Sequence, residues 1–423
     1  MFSSFKRIFY FPIASYFAFF ARIKLNRWNP KIVVITGSSG KTTVLHLIES
    51  QLGTEAHYSH HANSAFGVPF NILGLERKTL SKWEWPLLFL KAPFAAFGAY
   101  PTQKLYIVEV DADRPGEGAF LGKLLQANIT LWISSSRTHS ANFDICVSKG
   151  WCTTVEAAIA NEYAFLPQFT KDAVYVNADN PLMVTHVART KAPIHEIRMD
   201  NTFSHTVFKS KTDFKIGNIT YTFSYLLPRE LYYGLRMTID LVTSLGYPID
   251  PTFSRLSLPP SRNSLFEGIK DTTIIDSTYN ANLSSFSAIL SLFSQYPAHN
   301  KWLVLGGMLE QGKSEQEEHE KLADLIPALE PKKVILMGDK AGTYMYPKLK
   351  VAFDGKVEVL KFATQKQVLD YIQENLKGGE TLLFKGGTLM EGVVEHLLAN
   401  KDDSNKLCRR ENVWVERRKN ANL

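Results

Sequence analysis

Short apolar runs alternate with helical spacings of apolar residues through the first half of the chain. The runs predict strands over residues 32–35, 105–110, 129–133 and 173–177. The spacings between them predict helices over residues 44–52, 116–126 and 155–165. Strands and helices that alternate in this way form mostly parallel sheets covered on both faces. We therefore expect an α/β domain over residues 31–255.

A second α/β series begins after a hinge. Before the hinge, residues 203–226 alternate like antiparallel strands around a Gly217-Asn218 turn, and residues 229–245 have helical spacing. The Pro- and Ser-rich residues 251–263 predict a link between domains. Beyond it we predict strands over residues 272–276, 302–305, 333–337, 357–362 and 381–384, with helices over residues 314–326 and 365–376. This pattern predicts a Rossmann-like α/β domain over residues 262–400, and the basic, aperiodic residues 401–423 predict a loose tail.

Residues 1–30 differ from the rest of the chain. An aromatic-rich apolar stretch, residues 8–20, is flanked by the basic residues Lys6, Arg7, Arg22, Lys24 and Arg27. The stretch is shorter than the roughly 20 residues that a membrane span needs, and Pro12 interrupts it. Aromatic side chains with basic flanks suit the bilayer interface, so we favour a peripheral anchor at the inner face of the cell membrane. A helix packed on the protein's own core is the alternative.

Composition narrows the classes of partner. The chain has 423 residues, 45% of them hydrophobic and 21% charged, which is typical of a globular protein and too long for one compact core. Its net charge of +7 suits anionic partners such as nucleotides or a membrane surface. We expect no nucleic acid partner, since no basic stripe or stacking motif is present. Three cysteines without metal-ligand spacing indicate a reducing, cytoplasmic compartment.

A glycine-rich turn follows the first predicted strand. It reads Thr36-Gly37-Ser38-Ser39-Gly40-Lys41-Thr42-Thr43 and leads directly into a predicted helix. Backbone N–H groups and the dipole at a helix start attract phosphate. We expect Lys41 to contact the outer phosphates and Thr42 to hold Mg²⁺, although Ile35 occupies the place of the usual first glycine. The predicted fold class is therefore α/β: a P-loop-containing central ATPase domain followed by the Rossmann-like domain.

Six segments, in matching order, resemble the motifs of the Mur ligases, and most of all those of the MurF type. Residues 36–43 match the ATP loop, 63–69 resemble N-N-x-x-G-x-P, and 109–117 resemble E-M-G-x-N-x-P-G-E. Residues 276–282 resemble D-D-S-Y-N-A-N, 306–312 with His319 resemble G-D-M-x-E-L-G…H, and 385–387 resemble K-G-S. The resemblance covers about residues 31–400 and is far more specific than the phosphate loop alone.

The resemblance implies an ATP-dependent ligase of peptidoglycan precursor synthesis. In this family a carboxylate attacks the γ-phosphate of ATP, and an amine then displaces phosphate from the acyl phosphate. The implied catalytic residues are Lys41, Glu109, His139, Arg262 and Lys385. The implied ATP contacts are residues 36–43 with Asn63, Arg262, Asp276, Tyr279 and Asn280, and the implied ligands of Mg²⁺ are Thr42, Glu109 and His139. The implied partners are ATP, a peptide-bearing carboxylate acceptor, and an amino acid or dipeptide that supplies the amine.

Departures from the family pattern leave alternatives open. MurF-type ligases carry an N-terminal domain that holds UDP, where this chain has only residues 1–30. Asn161 stands in place of a carbamylated lysine that holds a second metal, and a neutral amide is a weaker ligand for Mg²⁺. Ser277, Gly307 and Ala141 replace acidic residues. The alternatives are an amino-acid polymer ligase of the poly-γ-glutamate synthase type and a degenerate ATP-binding subunit that needs a partner.

A cluster of histidines precedes Asn63. His57, His60 and His61 have no cysteine or carboxylate spaced to complete a zinc site, so we expect none there.

Overall fold

The computed structural model describes the chain except Met1, His61, residues 78–82 and Asn422, and it describes side chains from residue 9 onward. The chain forms two compact units. The N-terminal unit comprises Met1–Ser136, Asn142–Met199 and Tyr232–Asp250, and the C-terminal unit comprises Arg137–Ala141, Asp200–Leu231 and Pro251–Leu423. Each unit has its own sheet and its own hydrophobic core.

The N-terminal unit is built on a six-stranded parallel sheet. The strands are β1 (Lys31–Thr36), β2 (His57–Tyr58), β3 (Leu105–Val110), β4 (Ile129–Trp132), β5 (Ala173–Asn177) and β6 (Ile194–Ile197), in the order β2-β3-β1-β4-β5-β6. The helices are α1 (Phe2–Trp28), α2 (Lys41–Leu52), α3 (Gly67–Leu73), α4 (Glu84–Phe97), α5 (Glu117–Leu125), α6 (Ser140–Ser148), α7 (Val155–Tyr163), α8 (Phe165–Gln168), α9 (Pro181–Val187) and α10 (Leu231–Ser244). The predicted parallel sheet is confirmed.

Strand β1 lies at the centre of this sheet because its apolar residues 32–35 are buried on both faces. It pairs with β3 on one side and with β4 on the other. In the β1–β3 register, Ile35 lies opposite Glu109 and Thr36 lies opposite Val110. The carboxyl end of β1, where the glycine-rich turn begins, is therefore beside the carboxyl end of β3.

Helix α1 packs one face on the core of this unit. Ala14, Phe17, Ala21, Leu25 and Trp28 are buried on that face. Their spacing of three or four residues gives α1 one continuous apolar side against α3 and α4. The buried side of α1 is therefore packed on the protein's own core, as the alternative to a membrane anchor predicted. No helix in the described part of the chain is long and apolar enough to cross a bilayer.

The C-terminal unit contains two sheets. The larger has the order β10-β11-β15-β12-β13-β14, parallel except for β10, and the smaller is the antiparallel β7-β8-β9. The strands are β7 (Ser204–Val207), β8 (Thr212–Ile216), β9 (Ile219–Phe223), β10 (Ser264–Gly268), β11 (Thr272–Ser277), β12 (Lys301–Gly306), β13 (Lys333–Met337), β14 (Glu358–Phe362) and β15 (Thr381–Lys385). The helices are α11 (Leu283–Gln295), α12 (Glu315–Leu325), α13 (Tyr346–Phe353), α14 (Gln365–Asn375), α15 (Met390–Leu397) and α16 (Asn412–Asn420). The expected second α/β fold is confirmed.

Residues 200–231, which the sequence placed in the central domain, cluster instead with the C-terminal unit. The reason is shared apolar burial. Val207 and Leu226 belong to the same buried cluster as Phe286 and Phe293 of α11. The Tyr296 hydroxyl also donates a hydrogen bond to the Lys209 carbonyl at 3.1 Å.

The expectation of a loose tail over residues 401–423 is wrong. The segment contains a 3₁₀ turn (Lys401–Lys406) and α16. Arg409 and Arg418 contact the buried carboxylate of Glu391 at 3.0 and 3.5 Å. A buried carboxylate is costly without cationic or hydrogen-bond partners, so these two arginines hold the tail on α15.

Replacing Phe17 with alanine tests the packing of α1. The Phe17 ring is fully buried and lies 4.8 Å from the Phe70 ring and 5.0 Å from the Phe89 ring. We expect Phe17→Ala to lower the free energy of unfolding by about 3–5 kcal/mol in urea titrations followed by circular dichroism. Phe19→Ala is the matched control, because that side chain is 63% exposed; its effect should stay within about 0.5 kcal/mol. Equal losses in the two variants would contradict the placement of α1.

Candidate active site

The glycine-rich turn forms a compact loop between β1 and α2. Gly40 has a φ of 84° and immediately precedes the first residue of α2, so only a glycine fits there without strain. Gly37 has a φ of 138°, and a Cβ at this position would lie 2.7 Å from the Ser134 carbonyl oxygen. The loop is therefore closely packed on the segment that follows β4. Its backbone N–H groups begin a twelve-residue helix, which is the arrangement that binds phosphate.

Lys41 is held at the base of this loop. Its ammonium lies 2.9 Å from the Asp111 carboxylate and donates a hydrogen bond to the Gly37 carbonyl at 2.6 Å. Burial alone would lower the pKa of Lys41, but the charges of Asp111 and Glu109 outweigh it and raise the pKa above the ordinary value. Lys41 therefore stays cationic in a buried position, as a phosphate-binding lysine requires.

Thr42, Glu109 and Asn63 form a second group beside the loop. The Thr42 hydroxyl donates to the Glu109 carboxylate at 2.8 Å, and the Asn63 amide donates to its other oxygen at 3.3 Å. The backbone N–H of Glu109 donates to the Ser59 hydroxyl at 2.9 Å, which fixes the end of β3. Hydroxyl and carboxylate oxygens are the donors that Mg²⁺ prefers, so Thr42 and Glu109 fit that ion.

Three residues that the sequence reading missed complete this group: Asp111, Asp113 and Tyr163. The Tyr163 hydroxyl donates to Asp111 at 2.7 Å. Burial opposes ionisation of Asp111, but Lys41 outweighs it and lowers the pKa of this carboxyl to about 2. Burial, and then the charge of Asp111, raise the pKa of Asp113 to about 9. The sequence signal was the pair of acids at the end of a predicted strand, which is where parallel sheets bind ligands.

Asn161 does not reach this group. Its side-chain carbonyl accepts a hydrogen bond from Arg189 at 3.0 Å, and its backbone carbonyl accepts another at 2.9 Å. The neighbouring Glu162 is buried, and its carboxylate accepts from the backbone N–H of Gly118 at the start of α5, at 3.1 Å. Burial raises the pKa of Glu162. The side chains of Asn161 and Glu162 therefore both accept hydrogen bonds from other residues of the N-terminal unit.

The histidines before Asn63 have different environments. The His57 ring packs edge-on against Trp28 with ring centroids 5.4 Å apart. His60 lies 3.0 Å from Glu49, which is also 3.2 Å from His46. His61 lies outside the described residues. The ligand atoms of His46, Glu49 and His60 lie within 4.8 Å of one another, so a carboxylate partner exists on α2 that the spacing did not reveal.

In the C-terminal unit, five predicted residues come together at the carboxyl ends of β11 and β15. They are Arg262, Asp276, Tyr279, Asn280 and Lys385. The Lys385 ammonium donates to the Asn280 carbonyl at 2.6 Å, and the Arg262 guanidinium lies over the Tyr279 ring at 4.8 Å. Burial, reinforced by the charge of Arg262, lowers the pKa of Lys385 to about 7.

Asp276 is fixed beneath this cluster. Its fully buried carboxylate accepts hydrogen bonds from the Ser261 hydroxyl at 2.6 Å and from the Thr278 hydroxyl at 2.7 Å. Burial raises the pKa of Asp276, and these hydrogen bonds oppose the shift. The cluster therefore presents a cation and a planar stacked guanidinium above a buried acid, an arrangement that suits an anionic ligand.

His139 belongs to the C-terminal unit by its contacts. Its Nδ1 lies 2.5 Å from the Glu310 carboxylate, and the backbone N–H of Ala141 donates to the Glu310 carbonyl at 3.1 Å. Its φ of 50° is positive, so the surrounding loop imposes its conformation. The carboxylate partner would orient the imidazole.

Known proteins are similar to this chain in sequence. The family described as "Mur ligase, glutamate ligase domain" matches residues 261–388. The chain is 24% identical over 407 residues to the UDP-N-acetylmuramoyl-tripeptide–D-alanyl-D-alanine ligase of Buchnera aphidicola, covering 89% of this chain and 78% of that one. The Bacillus subtilis enzyme of the same name is 22% identical, with the same coverage.

Solved structures agree on the fold. The MurF ligase of Thermotoga maritima in complex with ADP superposes with a TM-score of 0.72 at 20% identity, covering 92% of this chain and 84% of that one. MurF from Acinetobacter baumannii gives a TM-score of 0.70 at 18% identity, covering 92% and 80%. Residues 261–388 therefore match a domain of the Mur ligases, and the fold of the chain is that of the solved MurF structures. Over most of its length the chain is similar to MurF enzymes, as its motifs predicted.

The proton on Asp113 gives a test of the site's electrostatics. Because the folded protein retains a proton up to a pKa of about 9, while the ordinary value is 3.8, Asp113 lowers stability progressively as the pH rises between those values. We expect Asp113→Asn to be more stable than the wild type by about 1–3 kcal/mol at alkaline pH, with the gain vanishing near the ordinary carboxyl pKa. Urea unfolding across this range measures the effect. Asp354→Asn, at an exposed carboxylate, is the control; a gain that is independent of pH would contradict the account.

Proposed function

We propose that this chain is an ATP-dependent ligase of the MurF type, which joins a carboxylate to an amine through an acyl phosphate. The observation that carries the proposal is the group formed by Lys41, Thr42 and Glu109. A buried cation and two oxygen donors lie together where a glycine-rich turn enters α2. The matched family domain over residues 261–388 supports ligation rather than simple nucleotide hydrolysis.

In this proposal the N-terminal unit binds the phosphates. The N–H groups at the start of α2 and the Lys41 ammonium stabilise the charge of the γ-phosphoryl group during transfer. Residues 36–43 and Asn63 contact ATP. Thr42 and Glu109 would hold Mg²⁺, with His139 as a further ligand, and the bound ion would neutralise phosphate charge.

The residues of the C-terminal unit act on the nucleotide and on the reacting groups. Asp276, Tyr279 and Asn280 contact the ribose and adenine, and Arg262 supplies charge to the γ-phosphate. Lys385, with its pKa lowered to about 7, contacts the incoming amine or the leaving phosphate. The amine attacks only in its neutral form. A lysine with a pKa near neutrality can accept the proton that the amine gives up.

We propose substrates of the kind that the similar enzymes are named for: a UDP-linked muramoyl tripeptide as acceptor and D-alanyl-D-alanine as donor. These are cytoplasmic precursors of peptidoglycan. The domain organisation proposed is a central ATP-binding domain within residues 31–255, apart from residues 200–231, which cluster with the C-terminal unit, and a ligase domain over residues 262–400. The first thirty residues are proposed to make peripheral contact with the inner face of the membrane through the exposed side of α1.

Turnover with paired substrates tests the proposal. We expect purified protein to release ADP and phosphate from ATP only when both the UDP-linked tripeptide and D-alanyl-D-alanine are present. Lys41→Ala should reduce ATP affinity at least about tenfold, because a charge-assisted contact to phosphate is lost. Lys366→Ala, at an exposed lysine of α14, should leave it unchanged.

Absence of turnover with muramoyl peptides and dipeptides, from protein that binds ATP, would refute the MurF assignment. Unchanged ATP affinity in Lys41→Ala would refute the phosphate-loop assignment.

A further inference from the structure

An exposed apolar stripe runs along the outer face of α4. It consists of Trp83, Leu87, Leu90, Phe94 and Phe97, at successive spacings of four, three, four and three residues. This spacing places all five side chains on one side of a helix. Each is more than half exposed, from 52% for Leu87 to 88% for Trp83. We call these five residues the α4 stripe.

The opposite face of α4 already makes the contacts that hold the helix. Leu88, Ala92 and Ala96 are buried, and Trp85 and Phe89 pack against the same core cluster as α1. The α4 stripe is therefore additional to the apolar surface that folding requires. A helix that is apolar on both faces is typical of one that lies between a protein core and a second apolar environment.

The surroundings of the stripe are basic. The sequence has no acidic residue from position 85 to 108, and none in the first 48 positions. Lys91 and Lys104 are exposed, as are Arg22 and Arg27 of the adjoining α1. Arg27 donates to the carbonyls of Ala96 and Gly98 at 2.8 and 3.0 Å, and lies over the Tyr100 ring at 5.6 Å. Positive charge is thus fixed at the end of the stripe.

We propose that the α4 stripe, with the exposed aromatic residues Phe9 and Phe19 of α1, binds the surface of an anionic lipid bilayer. Trp, Phe and Leu on one side of a helix, flanked by Lys and Arg, match the apolar boundary and the charged headgroups of such a surface. The helix would lie in the plane of the membrane rather than cross it. This surface lies outside the residues proposed for ligation, so the inference does not depend on that activity, but it rests on the membrane contact proposed for α1 and extends it to a second helix.

A second copy of the chain fits the stripe less well. A twofold contact places the same patch on both partners, so the basic flanks of one copy would face those of the other. Like charges across an interface oppose association, whereas anionic headgroups complement them. Charge complementarity therefore favours lipid over self-association.

Vesicle flotation tests the proposal. We expect the full chain to bind vesicles of phosphatidylcholine with about 30% phosphatidylglycerol, and to bind pure phosphatidylcholine vesicles at least about tenfold more weakly. Raising the salt concentration should weaken binding, because the flanking charges are screened. The double variant Leu90→Glu, Phe94→Glu should lose binding to anionic vesicles by at least about tenfold.

Val351→Glu is the matched control, since Val351 is an 81% exposed apolar residue on α13 of the C-terminal unit. It should bind vesicles like the wild type. Light scattering of each protein without vesicles shows whether a second copy of the chain, rather than lipid, binds the α4 stripe. No binding to anionic vesicles, equal losses in the control, or a dimer that the double variant abolishes would overturn the proposal. Because both substituted positions are exposed, unchanged circular dichroism and ATP binding should verify that the double variant folds.

Discussion

The parallel pairing of β1 with β3 is the constraint on which the candidate site depends. It places Ile35 opposite Glu109 and Thr36 opposite Val110, so the phosphate loop and the acidic end of β3 begin at the same edge of the sheet. Two contacts of the group follow from that register: Thr42 reaches Glu109, and Lys41 reaches Asp111. A shift of one residue would turn Glu109 to the other face of the sheet and separate the acid from the loop.

The buried Lys41–Asp111 pair sets the electrostatics of the candidate nucleotide site. Asp111 keeps Lys41 charged when no phosphate is bound. The Tyr163 hydroxyl donates a hydrogen bond to the other oxygen of the Asp111 carboxylate. A buried charge without a partner would be costly, so the pair preserves the cation for its ligand. Burial, and then the nearby charge of Asp111, raise the pKa of Asp113, so this carboxyl holds a proton. In the C-terminal unit, burial lowers the pKa of Lys385, and the neighbouring charge of Arg262 lowers it further.

The strands and helices of both units could largely be predicted from the sequence. The pattern of apolar and polar residues indicates which positions are buried, and the buried runs form the sheets. The phosphate loop followed from the glycine-rich turn between a predicted strand and a predicted helix, and the cluster of Arg262, Asp276 and Lys385 followed from the resemblance to Mur ligases. Tyr163 and its contact with Asp111 could not be found in this way, since the two residues lie 52 positions apart along the chain and meet only through packing. The helical tail was missed for a similar reason. Its order comes from Arg409 and Arg418 contacting the buried Glu391, and not from its own periodicity.

The central claim is that a substrate carboxylate attacks the γ-phosphate of ATP, and the most direct test follows the oxygen atom that moves. The acceptor is supplied with oxygen-18 in its terminal carboxylate, and the released phosphate is analysed by mass spectrometry. Formation and displacement of an acyl phosphate predicts one labelled oxygen in each phosphate released. Unlabelled phosphate released while the amide forms, or release of phosphate that leaves both labelled oxygens in the unreacted acceptor, would contradict the account.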